Sequence, residues 1–390
     1  MKKLYLGASA LAFSTVMAQA GGVDRSGQSM GVIFEKGTYA EFSFGSVSPD
    51  VSGTQLVTFP AALGGSTAGS KSDDMTERFH QIGAAMKFDY NEKLSMALIF
   101  DQPFGADVNY ASGTGYFAAG ATAQLDSSAM TTIARYKFND NFSVHGGLRY
   151  QRLSAEAFIP YITLPAGPLA GAAYEVDGSR DEGWGYVLGV AYERPEIAMR
   201  VALTYNSKIK HQLDTVETSA IGIANASTTD IDTPQSLNLE FQTGIAKDTL
   251  LFGSVRWVDW SEFSIAPADY DTVTGILAGT GSGVPLVSYK DDTYSYTLGV
   301  GRRFNDKWAG SVSVGYEPAN SNFASNLGPT NGNWSVGVGA AYTINNVEIS
   351  GGVRYIHIGE AKTEVGPFSP AASFDDNSAV GVGFKIAVNF

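Results

Sequence analysis

Five arginines, Arg135, Arg149, Arg200, Arg256 and Arg354, fall on the inward face of alternating runs, where a guanidinium could hold a ligand carboxylate through charge-assisted hydrogen bonds. Inward acids such as Glu240 and Glu348 compete for the same cations and would simply fill the interior. A second set is apolar. Phe158, Ile159, Tyr161, Ile162 and Leu164 crowd one connection, and Ile221 with Ile223 makes a shorter patch. They could capture a hydrophobic molecule, or pack the connections against one another. Ile33 and Phe34 have the same two readings, as lining of a ligand pocket or as a seal. Pro103, Phe104 and Gly105 end another run; proline donates nothing to a strand ladder, so a break in pairing is expected there.

Enzyme chemistry finds little support. His80, His145, His211 and His357 are scattered, with no His-x-x-x-His pair to hold a metal. His145 shares a run with Ser143, but neighbouring inward positions meet in this way by chance. The Gly-x-Gly pairs lie inside strand-like runs, where they cannot cradle a phosphate as a strand-to-helix turn does. Ser72-Asp73-Asp74 and Asp375-Asp376 offer oxygens to cations shared with lipopolysaccharide, or are solvated loop charge. No cysteine is present, so disulfides and thiolate metal sites are excluded. The expectation is a protein that is not an enzyme and needs no cofactor.

A net charge of -13 without a basic stripe argues against nucleic acid. Hydrophobic content is 44% and mean hydropathy is close to zero, as in an ordinary soluble protein. A transmembrane barrel gives the same average, because each strand has one apolar and one polar face. The 45 glycines and the 19 tyrosines with 22 phenylalanines fit that alternative, in turns, crowded lumen positions and interfacial girdles. Met1-Lys2-Lys3, an apolar run over 4–17 and Ala18-Gln19-Ala20 read as a secretory signal peptide over residues 1–20, with the mature chain starting at Gly21.

The elements that must position these residues are strands. Val380, Val382, Phe384, Ile386, Val388 and Phe390 alternate with Gly381, Gly383, Lys385, Ala387 and Asn389, one face suiting lipid and the other a polar lumen. Similar alternation places strands near 38–49, 76–90, 94–105, 127–138, 142–153, 181–193, 197–210, 235–245, 249–260, 291–304, 308–318, 333–344, 347–358 and 377–390. Short polar turns join them in pairs, and long connections over 51–75, 155–180, 214–233 and 261–290 separate the pairs. Fourteen is an even number that returns both ends to the periplasm, and an open sheet could not leave its edge in hydrocarbon. The fold expected is all-β: a 14-stranded antiparallel transmembrane barrel over 38–390, preceded by a segment over 21–37.

Three groups of segments occur in a telling order. Gly183-Trp184-Gly185-Tyr186 precedes Leu203-Thr204-Tyr205-Asn206-Ser207-Lys208-Ile209-Lys210-His211-Gln212-Leu213. Asp232-Thr233-Pro234-Gln235-Ser236-Leu237 leads to Trp257-Val258-Asp259-Trp260-Ser261. Asp292-Thr293-Tyr294 precedes Phe304-Asn305-Asp306-Lys307-Trp308. The ordered set resembles the FadL/TodX family of outer-membrane long-chain fatty acid transporters. That resemblance implies a monomeric barrel whose N-terminal segment forms a hatch in the lumen, with lateral release at a kink in the third strand, here near Pro103. It implies passive transport of long-chain fatty acids or other hydrophobic compounds. Residues 21–37 are shorter than the family hatch and lack its Asn-Pro-Ala element. The terminal Phe390 resembles the signal read by the barrel assembly machinery, and outer-membrane lipid with lipopolysaccharide would surround the wall. Three other readings stay open: a general diffusion porin, an outer-membrane lipid hydrolase using His145, and a structural or adhesive barrel.

Overall fold

The alternating runs pair with their sequence neighbours and close on themselves. The computed structural model describes residues 23–60, 65–164 and 169–390; the expected signal peptide over 1–20, Gly21, Gly22 and 165–168 of the apolar connection lie outside them. The wall comprises β1 (Tyr39–Asp50), β2 (Phe79–Asp89), β3 (Leu94–Asp101 continued by Gly105–Asn109), β4 (Thr122–Lys137), β5 (Phe142–Ile159) and β6 (Tyr174–Arg194). It continues through β7 (Met199–Asn206 and Ile209–Ser219), β8 (Gly222–Thr233 and Ser236–Ala246), β9 (Thr249–Val258), β10 (Thr293–Arg303) and β11 (Trp308–Glu317). The last three are β12 (Asn333–Ile344), β13 (Val347–Ile358) and β14 (Asn377–Asn389). Antiparallel pairing of β1 with β14, from Tyr39 opposite Asn389 to Asp50 opposite Ser378, closes the barrel and leaves no edge.

Turn chemistry is repeated at one end. The side-chain oxygens of Asn91, Asn139 and Asn305 each accept two main-chain N–H bonds from the residues two and three further on, at 2.8–2.9 Å. Asp248 and Asn345 close two other hairpins with positive φ. Along β12, Trp334, Val336 and Val338 are exposed on the outer surface while Ser335 is buried toward the lumen, as the alternation requires.

All fourteen expected strands are present, but β4 to β8 run further than expected. Much of the expected connections over 155–180 and 214–233 is strand. The cause is an inversion of the pattern. In the outer half of β7, Ile209, His211 and Leu213 are buried inward while Lys210, Gln212 and Asp214 are exposed. Above the membrane the outer surface meets water, so polar residues face outward and no lipid-facing stripe marks the strand.

These extensions carry a cap. A three-stranded sheet (Gly53–Gln55, Ala361–Val365 and Phe368–Phe374) and the helix α1 (Ala268–Ala278) close over a core that includes Val47, Tyr110, Ile159, Tyr174, Tyr270 and Phe374. The buried Glu217 carboxylate accepts the Tyr174 hydroxyl (2.9 Å) and the Asp269 amide (2.9 Å), tying α1 to the β7 extension. No described helix is long and apolar enough to cross a membrane, a fact that does not bear on strands.

The pleat makes an asymmetric prediction. Val338→Arg puts a cation on the lipid face and should cost about 2–4 kcal/mol in equilibrium refolding into phosphatidylcholine vesicles. Ser350→Ala removes a buried lumen hydroxyl that has no partner, and should be neutral or mildly stabilising in the same assay.

Candidate ligand path

The N-terminal segment runs down inside the lumen. Val23 borders the outer half, and the 3-10 turn Gly31–Phe34 packs Val32, Ile33 and Phe34 against Ala97, Ile133, Val187, Ala202 and Ala387 near the other end. Its middle is pinned by charge. Arg256 Nε donates to Asp24 Oδ2 (2.7 Å), and its Nη atoms reach Ser236, Asn238 and Gln28. Both members of this ion pair are almost fully buried. Asn238 Nδ2 also donates to the Gly27 carbonyl (2.9 Å).

The same segment repairs the break in β3. Pro103 has no N–H to give, and Phe104 turns inward, its amide donating to Ser127 Oγ (2.8 Å) and its ring meeting Trp260 edge-on at 5.9 Å. The Pro103 carbonyl accepts the Arg25 amide (2.8 Å), and the Gly105 amide donates to the Val23 carbonyl (2.9 Å). Ser26 Oγ donates to Asp101 (2.7 Å). Residues 23–26 thus pair with the broken stretch from inside.

On the β2 side the broken stretch has lost its partner. The β2–β3 ladder runs up to Ala84 opposite Phe100 and stops; a single bridge, Thr76 to Val108, closes the gap above. Between them the Ile82 amide donates to the Gln102 side chain (2.8 Å) in place of a main-chain partner. The Arg25 guanidinium lies in this interval, ion-paired to Asp107 (2.6 Å) and stacked 4.2 Å from the Phe79 ring. A Cβ on Gly105 would lie 2.5 Å from it, so only glycine leaves the guanidinium its place.

Three hollows follow, the first two sharing part of their lining. The outer chamber, partly open, is lined chiefly by apolar residues, among them Leu125, Val176, Leu213, Ile231, Phe263 and Val287. The middle chamber shares Val23, Ala106, Tyr289 and Leu327 with it and reaches Arg25, Phe79, Gly105 and Asp107. Burial pushes the Tyr289 phenol above its ordinary range and keeps it neutral. The third hollow lies at the β2–β3 gap and is lined by lumen residues Ser26, Gln81 and Asp101 together with Ile82, Phe100 and Phe384 of the outer surface.

The residues singled out in the sequence distribute unevenly over this path. Pro103, Phe104 and Gly105 form the break itself. Ile33 and Phe34 are buried beneath the chambers, with Phe34 held between Arg135 and Arg200, each 4.6 Å from its ring. Ile159, Ile162 and Leu164 are buried in the cap, where Tyr161 packs edge-on to Phe117; Phe158, Ile221 and Ile223 are exposed. None of these nine lines the three hollows.

Nor do the five arginines. Arg135 pairs with Glu193 and Ser143, Arg256 with Asp24, and Arg354 with Ser335 and Ser313. Arg149 bonds Thr131 through Nε and has both Nη atoms without a hydrogen-bond partner among the described residues, yet Gln151 and Leu153 separate it from the outer chamber along β5. The residues that do shape the path and were not singled out are Val23, Arg25, Asp107 and Tyr289. Their types carry no motif, and only the pairing of 23–26 with the β3 break brings them together. Gly27-Gln28-Ser29-Met30-Gly31 has the spacing of a serine-hydrolase elbow, but Ser29 Oγ donates to Glu240 (2.6 Å) and bonds no histidine among the described contacts. No group of three or more described His, Asp or Glu residues is placed to hold a metal ion.

Residues 33–388 match the family described as "Outer membrane protein transport protein (OMPP1/FadL/TodX)". The chain belongs to that family. It is an outer-membrane β-barrel, and the FadL/TodX fold extends over nearly its whole length. A Pseudomonas aeruginosa FadL homologue superposes with a TM-score of 0.71 at 15% identity, over 92% of this chain and 91% of that one. The Pseudomonas putida toluene transporter TodX gives 0.60 at 13% identity, over 91% and 90%. The Ralstonia pickettii toluene transporter TbuX gives 0.60 at 13%, over 92% and 90%. No curated protein matches the chain.

The buried pin yields a prediction. Arg256→Ala leaves Asp24 buried without its cation, which should cost about 3–5 kcal/mol and loosen the luminal segment. Planar-bilayer recordings should then show a higher ion conductance than the unmodified barrel.

Proposed function

We propose that this FadL/TodX family member is a passive channel for hydrophobic compounds. Ligand enters the outer chamber, passes Val23 into the middle chamber, and leaves sideways through the β2–β3 gap into the membrane. The observation carrying this reading is the third hollow, whose lining combines residues from both surfaces of the wall. A route straight through would have to displace the residues packed around Ile33 and Phe34, whereas the lateral route crosses only the 23–26 pairing. The segment over 21–37 acts as the hatch, and its shift uncovers the gap. Exposed Ile221 and Ile223, at the tip of the β7–β8 hairpin, supply a first apolar contact. Each step exchanges one apolar surface for another, at roughly 25 cal/mol per Å² buried, so no energy source is needed. The barrel works as a single chain.

The test exploits the absence of cysteine. If the ladder were continued past Ala84 and Phe100, Ile82 would stand opposite Gln102, and the two are already joined by a hydrogen bond. Ile82→Cys with Gln102→Cys should form a disulfide that staples the gap. Protein-dependent uptake of a radiolabelled hydrophobic tracer into outer-membrane vesicles is expected to stop on oxidation and return on reduction. Equal uptake by the oxidised and reduced forms would rule out the lateral route. Small-sugar flux in the same vesicles would indicate a diffusion porin instead.

A further inference from the structure

The path is poor in accessible positive charge. Among the described residues no lysine, arginine or histidine lines the outer chamber; its polar residues are the exposed Gln124 and Glu156 and the hydroxyls of Tyr289, Thr215 and Thr229, the last two already bonded to each other at 3.2 Å. Three carboxylates, Asp24, Glu77 and Asp107, line the middle chamber against one cation, Arg25. Arg25 is committed to Asp107, and Asp24 to Arg256, while Glu77 accepts an amide hydrogen bond from Asn109 and has no ion pair among the described residues. An ionised headgroup crossing the first chamber would lose water without gaining a partner. In the second it would meet the part-buried Asp107 carboxylate, whose cation is already taken, with the exposed Glu77 at the rim.

We propose that the two chambers form a charge filter: the path admits uncharged hydrophobic molecules and rejects their carboxylate forms, with the Arg25–Asp107 pair as the residues that discriminate. This rests on the channel reading above and names its substrate class. An uncharged hydrocarbon or alcohol incurs neither penalty, and its hydroxyl, if it has one, can share hydrogen bonds with Tyr289 or the two threonines. The five inward arginines do not relieve the restriction, because none of them lines these chambers. Asp107 is the more telling member of the pair. Removing its charge leaves Arg25 free to receive an anion at the point where ligand must turn toward the gap.

The experiment compares 1-dodecanol with dodecanoate, matched in chain length, in outer-membrane vesicles carrying the full chain, against vesicles without it, at a pH of about 8 where the acid is ionised. Saturable, protein-dependent dodecanol uptake with dodecanoate uptake at least about ten-fold lower is expected. Lowering the pH until dodecanoate is protonated should bring the two together. Asp107→Asn should raise dodecanoate uptake several-fold relative to dodecanol, since simple widening of the gap would raise both alike. Equal uptake of both compounds by the unmodified protein at the higher pH would overturn the filter and leave the channel standing. Protein-dependent uptake of neither would overturn the channel itself and the filter with it. An unchanged ratio in a correctly folded Asp107→Asn barrel would remove the filter from the middle chamber.

Discussion

In hydrocarbon an unpaired main-chain N–H or C=O has no water to turn to, so a membrane-spanning sheet must satisfy itself by closing. The pairing of β1 with β14 meets that demand, and the rest of the structure depends on it. Within a wall so constrained, any interruption of the ladder must be compensated by other groups. The β3 break is compensated twice: from inside by the main chain of residues 23–25, and from the β2 side by the Gln102 side chain. Both substitutes are weaker in number than a continuous ladder, and one of them belongs to a segment that is not part of the wall. The closed barrel thereby carries an interruption of its ladder without exposing an edge along its whole height.

The luminal segment is held by two kinds of interaction, and they divide its length. Near residues 24–28 it is fixed by the buried Arg256–Asp24 pair and the amides around it, where geometry is specific and removal of one partner is expensive. Near residues 30–34 it is held by apolar packing, with the Phe34 ring between two guanidinium groups. The upper end, from Val23 to Ser26, borders the first two hollows or pairs with the β3 break, apart from the packed end.

How much of this the sequence shows depends on which side of a residue faces lipid. Where it does, the period-two stripe marks the strand, as in Trp334 to Ile344 or Val380 to Phe390, and each fourteenth of the barrel is legible. Above the membrane the stripe inverts, as at Ile209-Lys210-His211-Gln212-Leu213, and the extensions of β5 to β8 read as loops. The apolar connection around Ile159 and Leu164 was visible as apolar, but only the folded cap shows that these two residues are its core. Pro103 announced a break because proline lacks a donor, a property that no tertiary context changes.

The sequence by itself therefore determined the closed barrel, its strand number, the family likeness and the position of the interrupted strand, because each follows from local alternation, motif order or covalent chemistry. The tertiary structure alone decided the path. Val23, Ala106, Tyr289 and Leu327 meet at one chamber boundary although about 300 residues separate the first from the last. Arg25 finds Asp107 and Phe79 only because the segment before the barrel returns through its lumen. Alternation says which way a side chain points; what stands opposite it across a lumen is set by closure of the sheet and by the chain that fills it.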